Sequence, residues 1–203
     1  MAKQGRSTPV MQAVLEAVAL HLMTVDENLI RIPEICEESG VNYGSVYHHF
    51  GSREGVIDAA YIKMFNEFMD EDIAFIREAV DSIQSGADVM AAFARFGETA
   101  IMGQERAERR MIRARIVAAA ATRPQLKVSI GLSQNRITSE LSDLFAILQE
   151  RGVIKDHLPA RTIATVVQVV LIGRVLDDIS INPLTNDEFR DGATFLFLSL
   201  VNL

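Results

Sequence analysis

The chain has 203 residues, 49% of them hydrophobic, one cysteine, no tryptophan and a net charge of −7 at pH 7. A single cysteine excludes an intrachain disulfide and suits a reducing compartment. The acidic balance argues against indiscriminate nucleic-acid binding, and no apolar run approaches the ~20 residues that span a bilayer. The N-terminus lacks the apolar core of a signal peptide, so a cytoplasmic location is expected. Five prolines and twelve glycines in otherwise helix-forming sequence point to an all-α protein.

Residues 1–7 read as a polar arm carrying Lys3 and Arg6. Thr8 can cap a first helix with Pro9 at its first position. Met11, Val14, Leu15, Val18 and Leu22 form its buried stripe. The polar run Asp26-Glu27-Asn28 breaks it. Pro33 suits the first turn of a second helix, whose apolar side holds Ile35 and Cys36; the thiol there is expected to be buried and structural. Gly40 follows, where a left-handed residue ends a helix. Val41 plugs the turn, and Asn42 caps a third helix. Val46 and Phe50, four apart, share its inward face. Tyr43, Gly44, Ser45, Tyr47 and His48 are left pointing outward. That is a poor solvated surface and a reasonable one for phosphates and base edges. Ser52 caps a fourth helix that carries Val56, Ile57, Ala60, Met64, Phe65 and Phe68. Two short helices joined by a tight turn, with the second protruding, are sized for a DNA major groove.

The segment from Gly40 to Arg53 resembles the recognition motif of the TetR family of bacterial transcriptional regulators. It carries Gly40, Val41, Gly44, Tyr47, His48, His49, Phe50, Ser52 and Arg53 in that family's order. The motif covers roughly a quarter of the chain, and the remainder is similar to the family in helical layout. The family commonly has a basic or small polar residue at the position of Tyr43 and a threonine at that of Arg31. The resemblance implies an N-terminal three-helix head, residues 1–51, and a ligand-binding and dimerisation domain, residues 52–203, with about nine helices in all. The DNA-contacting set is then Arg31, Asn42, Tyr43, Gly44, Ser45, Tyr47, His48 and Arg53. Tyr47 and Arg53 are expected on phosphates. Residues 1–55 carry a net charge of −3, so specific binding must rest on a few hydrogen bonds and helix N-termini.

Ser85-Gly86 and Gly103-Gln104 are expected breaks in the second domain. Arg106, Arg109, Arg110, Arg113 and Arg115 crowd ten residues and read first as a solvated face, with Arg113 the candidate to turn inward. Thr122-Arg123-Pro124 starts a long helix bearing Ile137, Leu141, Leu144, Phe145 and Leu148, closed by Arg151-Gly152. Leu158-Pro159 opens another, carrying Ile163, Val166, Val167, Val170 and Leu171 and ended by Asn182-Pro183. The last helix spans 186–200 with Phe189, Ala193, Leu196, Phe197 and Leu200. These last two are apolar on more than one face, which suits a homodimer interface; Val167, Val170, Leu171, Phe189, Phe197 and Leu200 are the candidates.

Flexible or flat apolar side chains on several helices (Phe65, Phe68, Met69, Met90, Phe93, Phe96, Met102 and Met111) suggest an effector pocket. The ligand set is Phe65, Met69, Phe93, Phe96, Arg113, Gln134 and Arg174, for an apolar or amphipathic molecule whose acidic group, where it has one, meets Arg113. Enzyme chemistry finds no support. No histidine has a glutamate three residues before it, as a di-iron bundle requires. His48 and His49 point about 100° apart on a helix and cannot share a zinc ion. No phosphate-binding glycine loop or nucleophile elbow is present, and no metal or cofactor is expected. The expected protein is a ligand-responsive repressor that binds a palindromic double-stranded operator as a homodimer. The alternative is a helical ligand sensor with a vestigial DNA head that acts through a protein partner.

Overall fold

The computed structural model describes residues 9–84, 88–89, 91–92, 95 and 104–201. The helices are α1 (Pro9–Thr24), α2 (Ile32–Glu38), α3 (Tyr43–Phe50), α4 (Arg53–Ser82), α5 (Gln104–Thr122), α6 (Pro124–Glu150), α7 (Ala160–Gly173), α8 (Val175–Asp178) and α9 (Asn186–Leu198). Among the described residues the sole extended pairing is one antiparallel bridge between Ile154 and Val201. The all-α expectation therefore holds. Thr8, Gly86 and Gly103 lie outside the described residues, as do Met90, Phe93, Phe96 and Met102.

The chain divides into two compact units, Met1–Glu67 and Phe68–Leu203, and the division falls inside α4. In the first unit α1 buries Met11, Val14, Leu15, Val18 and Leu22, the stripe read from the sequence. The Asp26 carboxylate accepts from the Asn28 amide at 2.9 Å and starts a single 3-10 turn, Glu27–Leu29, that the sequence reading missed. Its signal was an acid followed two residues later by asparagine. Pro33 sits in the first turn of α2. Gly40 takes φ +65°, and the Val41 amide donates to the Cys36 carbonyl at 2.8 Å, a left-handed helix stop. Val56, Ile57, Ala60, Met64 and Phe65, from the first part of α4, are buried within this unit. That burial carries the head past Ser52 and into the helix.

In the second unit α6 packs on α5 and α7. Pro124 opens α6, and Gly152, at φ +67°, closes it while the Val153 amide donates to the Leu148 carbonyl at 2.9 Å. The helix opened by Pro159 does not continue to Asn182. It stops at Gly173 and resumes for one turn as α8. The break sits at Arg174, whose side chain turns inward and is 5% exposed. α9 starts on a capping box that also escaped the sequence reading. The Glu188 amide donates to Thr185 Oγ1 at 3.2 Å, and the Thr185 amide donates to Glu188 Oε2 at 2.8 Å. These bonds from Thr185 hold the Glu188 carboxyl below its ordinary pKa.

Candidate nucleic-acid interface and effector site

α3 is fixed from beneath and capped from behind. Val46 is fully buried and Phe50 half-buried, while Tyr43, Gly44, Ser45 and His48 are exposed. The Ser45 amide donates to Asn42 Oδ1 at 3.2 Å. The Asn42 side chain is thus engaged in the cap, and its role is to set the helix rather than to reach a base. A Cβ on Gly44 would lie 3.0 Å from that same Oδ1, so glycine leaves room for the cap. Tyr43 and Tyr47 stack with ring centroids 4.2 Å apart and planes tilted by 39°. A side-chain hydrogen bond with Tyr43, followed by partial burial, pushes the Tyr47 hydroxyl up to about 12. It therefore stays protonated at neutral pH and can donate to a phosphate. Arg31 is exposed at the start of α2 and makes no side-chain cap bond.

Arg53 departs from its expected role. Its guanidinium donates to the Ile30 carbonyl (Nε at 3.3 Å, Nη2 at 3.2 Å) and to the Glu27 carbonyl. The side chain pins the start of α4 to the end of the 3-10 turn, where the Glu27 carbonyl also accepts from the Ile30 amide at 3.2 Å. Ser52 caps α4 as expected, accepting from the Gly55 amide at 3.0 Å. Gly55 itself was missed. A Cβ there would stand 2.1 Å from the Phe50 carbonyl oxygen, so only glycine lets the chain pass from α3 into α4 along this path. Burial pushes the Cys36 thiol above its ordinary pKa, in keeping with a structural role.

In the second unit the arginine row of α5 is not a solvated face. The side chains of Arg110, Arg113, Arg109 and Arg106 are 9%, 13%, 15% and 22% exposed. The reason is acidic partners on other helices. Arg110 grips Asp178 with Nε and Nη2 at 2.7 and 2.8 Å. Arg106 and Arg113 each reach Asp72 at 3.2 Å. Arg109 pairs with Glu71 and lies 5.0 Å from the Phe68 ring centroid. Burial raises the Asp72 carboxyl above its usual pKa even though Arg113, Arg106 and Arg109 oppose the rise. These arginines, with Phe68, Asp72, Ile76 and Leu171, line a small polar cavity of about 40 Å³. A second, wholly apolar cavity of about 90 Å³ is lined by Ile76, Val80, Ile83, Val89, Phe145, Leu148, Val167 and Phe197, among others.

The other expected ligand residues have varied fates. Phe65 is buried in the first unit and Met69 in the second. Phe93 and Phe96 lie outside the described residues. Gln134 donates to Gln168 Oε1 at 2.6 Å and to Thr138 Oγ1 at 3.2 Å, an internal polar network between α6 and α7. Arg174 donates to Asn186, lies 3.7 Å from Asp178 and covers the Phe189 ring at 4.4 Å. It is an internal anchor rather than a free ligand contact. Met111 is exposed.

The expected dimer residues also redistribute. Val167 and Phe197 are buried within the chain and line the apolar cavity, with Leu200 beside them. Leu171 lines the polar cavity, Val170 is half-buried and Phe189 lies under Arg174. The large apolar side chains that α7 and α9 expose are Val166, Val169, Phe195 and Leu196, at 54%, 60%, 76% and 55%. On these two helices the exposed apolar face thus lies about one residue round from the expected set.

Residues 30–60 match the family model described as bacterial regulatory proteins of the tetR family. A TetR-family transcriptional regulator from Cytophaga hutchinsonii has 13% identity and a TM-score of 0.70, with all of each chain covered. The fold is that of the TetR-family regulators. Another such regulator, from Pectobacterium atrosepticum, has 15% identity and a TM-score of 0.68 over 100% of this chain and 99% of that one. A protein from Saccharomonospora viridis, solved in complex with choline, has 15% identity and a TM-score of 0.71 over 95% and 98%. No curated protein matches the chain. The TetR-type match takes in α2, α3 and the start of α4, and therefore includes both Arg53 and Gly55. No helix among the described residues is long and apolar enough to cross a membrane.

Proposed function

We propose that the protein is a cytoplasmic, ligand-responsive transcriptional repressor that binds a palindromic operator as a homodimer and is released by a small-molecule effector. The observation that carries this reading is α3, an exposed Tyr43, Ser45 and His48 face on a helix capped by Asn42 and seated on Val46, within the segment that matches the TetR family. Tyr47 supplies a phosphate contact through its protonated hydroxyl. Ser45 and His48 read base edges, each worth on the order of 1–3 kcal/mol. Val166, Val169, Phe195 and Leu196 supply the apolar face that a partner copy would cover. α4 starts beside the recognition helix and includes the cavity-lining Phe68, Asp72 and Ile76, so it is the proposed carrier of the effector's state to the head.

The test is a titration with duplex DNA from the region flanking the protein's own coding sequence, at two salt concentrations. Sequence preference is expected, lost uniformly in Tyr47→Ala and redirected by Ser45 or His48 substitutions. Absence of binding even at low salt would favour the sensor with a vestigial head.

A further inference from the structure

We infer that the effector is an amphipathic anion, an aliphatic carboxylate of medium chain length. Its head lies among Arg106, Arg109 and Arg113, and its tail runs between α4 and α7 into the apolar cavity. The inference rests on the proposed repressor reading and names the ligand class of the site within it.

The charge argument comes first. At the polar cavity the guanidiniums of Arg106, Arg109 and Arg113 are all less than a quarter exposed. Among the described residues one carboxylate of comparable shelter, Asp72, meets Arg106 and Arg113. Glu71 and Glu105, which meet Arg109, are 55% and 74% exposed, and Asp177 is turned to the Leu184 amide. Among the described residues these three sheltered guanidiniums outnumber the sheltered carboxylates, which favours an added negative charge.

Hydrogen-bond capacity points the same way. Arg113 Nε is buried and finds no partner among the described residues. Its Nη2 donates to the thioether sulfur of Met69 at 3.3 Å, a weak acceptor for a strong donor. Burial also lowers the Arg113 pKa. A carboxylate offers the fork of acceptors that a guanidinium matches best.

The tail follows from geometry. Ile76 lines both cavities. The polar one takes Asp72 from α4 and Leu171 from α7; the apolar one takes Val80 and Val167 from the same two helices. Head and tail sites thus lie end to end. Asp72 and Val80 are about 12 Å apart along the helix, which matches an extended medium-length acyl chain better than a small acid or a compact ring.

The test is calorimetric titration of the full chain, without DNA, using decanoate, decanol, decyltrimethylammonium and choline. Decanoate should bind, decanol about tenfold more weakly, and the two cations not measurably. Across acetate, hexanoate and decanoate the affinity should rise about fourfold per added methylene. Arg113→Met should weaken decanoate at least about tenfold and decanol much less. Equal binding of decyltrimethylammonium or choline, affinity independent of chain length, or undiminished decanoate binding by Arg113→Met would overturn the inference. The chain-length series needs no variant and stands even if Arg113→Met fails to fold. Decanoate binding that leaves operator affinity unchanged supports the ligand assignment and sinks the release mechanism instead. Operator binding by a protein that ignores decanoate sinks the assignment alone.

Discussion

Replacing Gly55 by alanine tests how the recognition helix is joined to the rest of the head. The added Cβ would stand 2.1 Å from the Phe50 carbonyl oxygen and 3.2 Å from its carbon. Non-bonded contacts of this kind do not fall below 3.0 Å, and the obstacle is backbone, so the turn between α3 and α4 must open by about 1 Å. Overpacking of this sort costs about 1–3 kcal/mol. Alanine's better helix propensity returns about 1 kcal/mol, leaving a net loss of up to about 2 kcal/mol. In a head of this size that lowers the melting temperature by up to roughly 16 °C. Because the displaced segment is the end of α3, operator affinity should fall further than the melt alone requires. Thermal unfolding followed by circular dichroism, with an operator titration at 20 °C, reads both effects. Gly131→Ala serves as the control, since a Cβ there meets nothing within 4 Å and should stabilise α6 by about 0.5–1 kcal/mol. A Gly55→Ala protein that melts at or above the wild type and binds operator normally would refute the reasoning.

Three further outcomes are expected. Tyr43→Phe removes the hydrogen bond that most raises the Tyr47 pKa, so an ultraviolet titration should show a tyrosine near 12 in the wild type and a lower value in the variant. The Tyr47 pKa is raised on folding, so its contribution to stability is complete below about pH 10. That contribution is lost as the pH climbs from there through about 12. Arg53→Met should cost the head about 1.5–3 kcal/mol in urea unfolding while leaving the salt slope of operator binding unchanged; a slope reduced by about 0.9 would restore Arg53 to the phosphate. Phe195→Glu should yield a folded monomer in sedimentation velocity, whereas Phe197→Glu, a charge placed in the apolar cavity, should unfold the second unit. A dimeric Phe195→Glu protein would place the subunit interface elsewhere.

The parts of the molecule legible from the sequence are those governed by near neighbours. Gly40 with its positive φ, Asn42 as a cap and Val46 on the inward face all follow from residues within one turn of each other. Arg53 was misplaced because its partners are backbone carbonyls 23 and 26 residues away, and a carbonyl has no residue type to betray it. The α5 arginines failed for a related reason. Nothing local to Arg110 or Arg113 shows that Asp178 and Asp72 stand 68 and 41 residues off in sequence. On α7 and α9 the hydrophobicity was two-sided, and which face turns inward is decided by the helices packed against them rather than by the pattern. Gly55 did carry a local signal. A glycine in the first turn of a well-capped helix lowers its propensity, and that cost implies a steric reason.

The position of Arg53 sharpens the consequence of an acidic head. With that guanidinium held on Ile30 and Glu27, Arg31 is the arginine the described head leaves exposed, and Lys63 is paired with Glu67. The described residues of a single head would release few counterions on binding and so supply little sequence-independent affinity. In the proposed operator complex, discrimination would then rest on neutral donors and acceptors: the hydroxyls of Tyr47 and Ser45, the His48 ring and the amides at the start of α3. Such contacts are worth little unless two heads engage at once, and a tethered second head raises the effective affinity by orders of magnitude. A repressor of the proposed kind would be quiet on bulk DNA and would depend steeply on the spacing of its heads. Under the proposed reading, that dependence would make a small effector-driven change along α4 sufficient to release it.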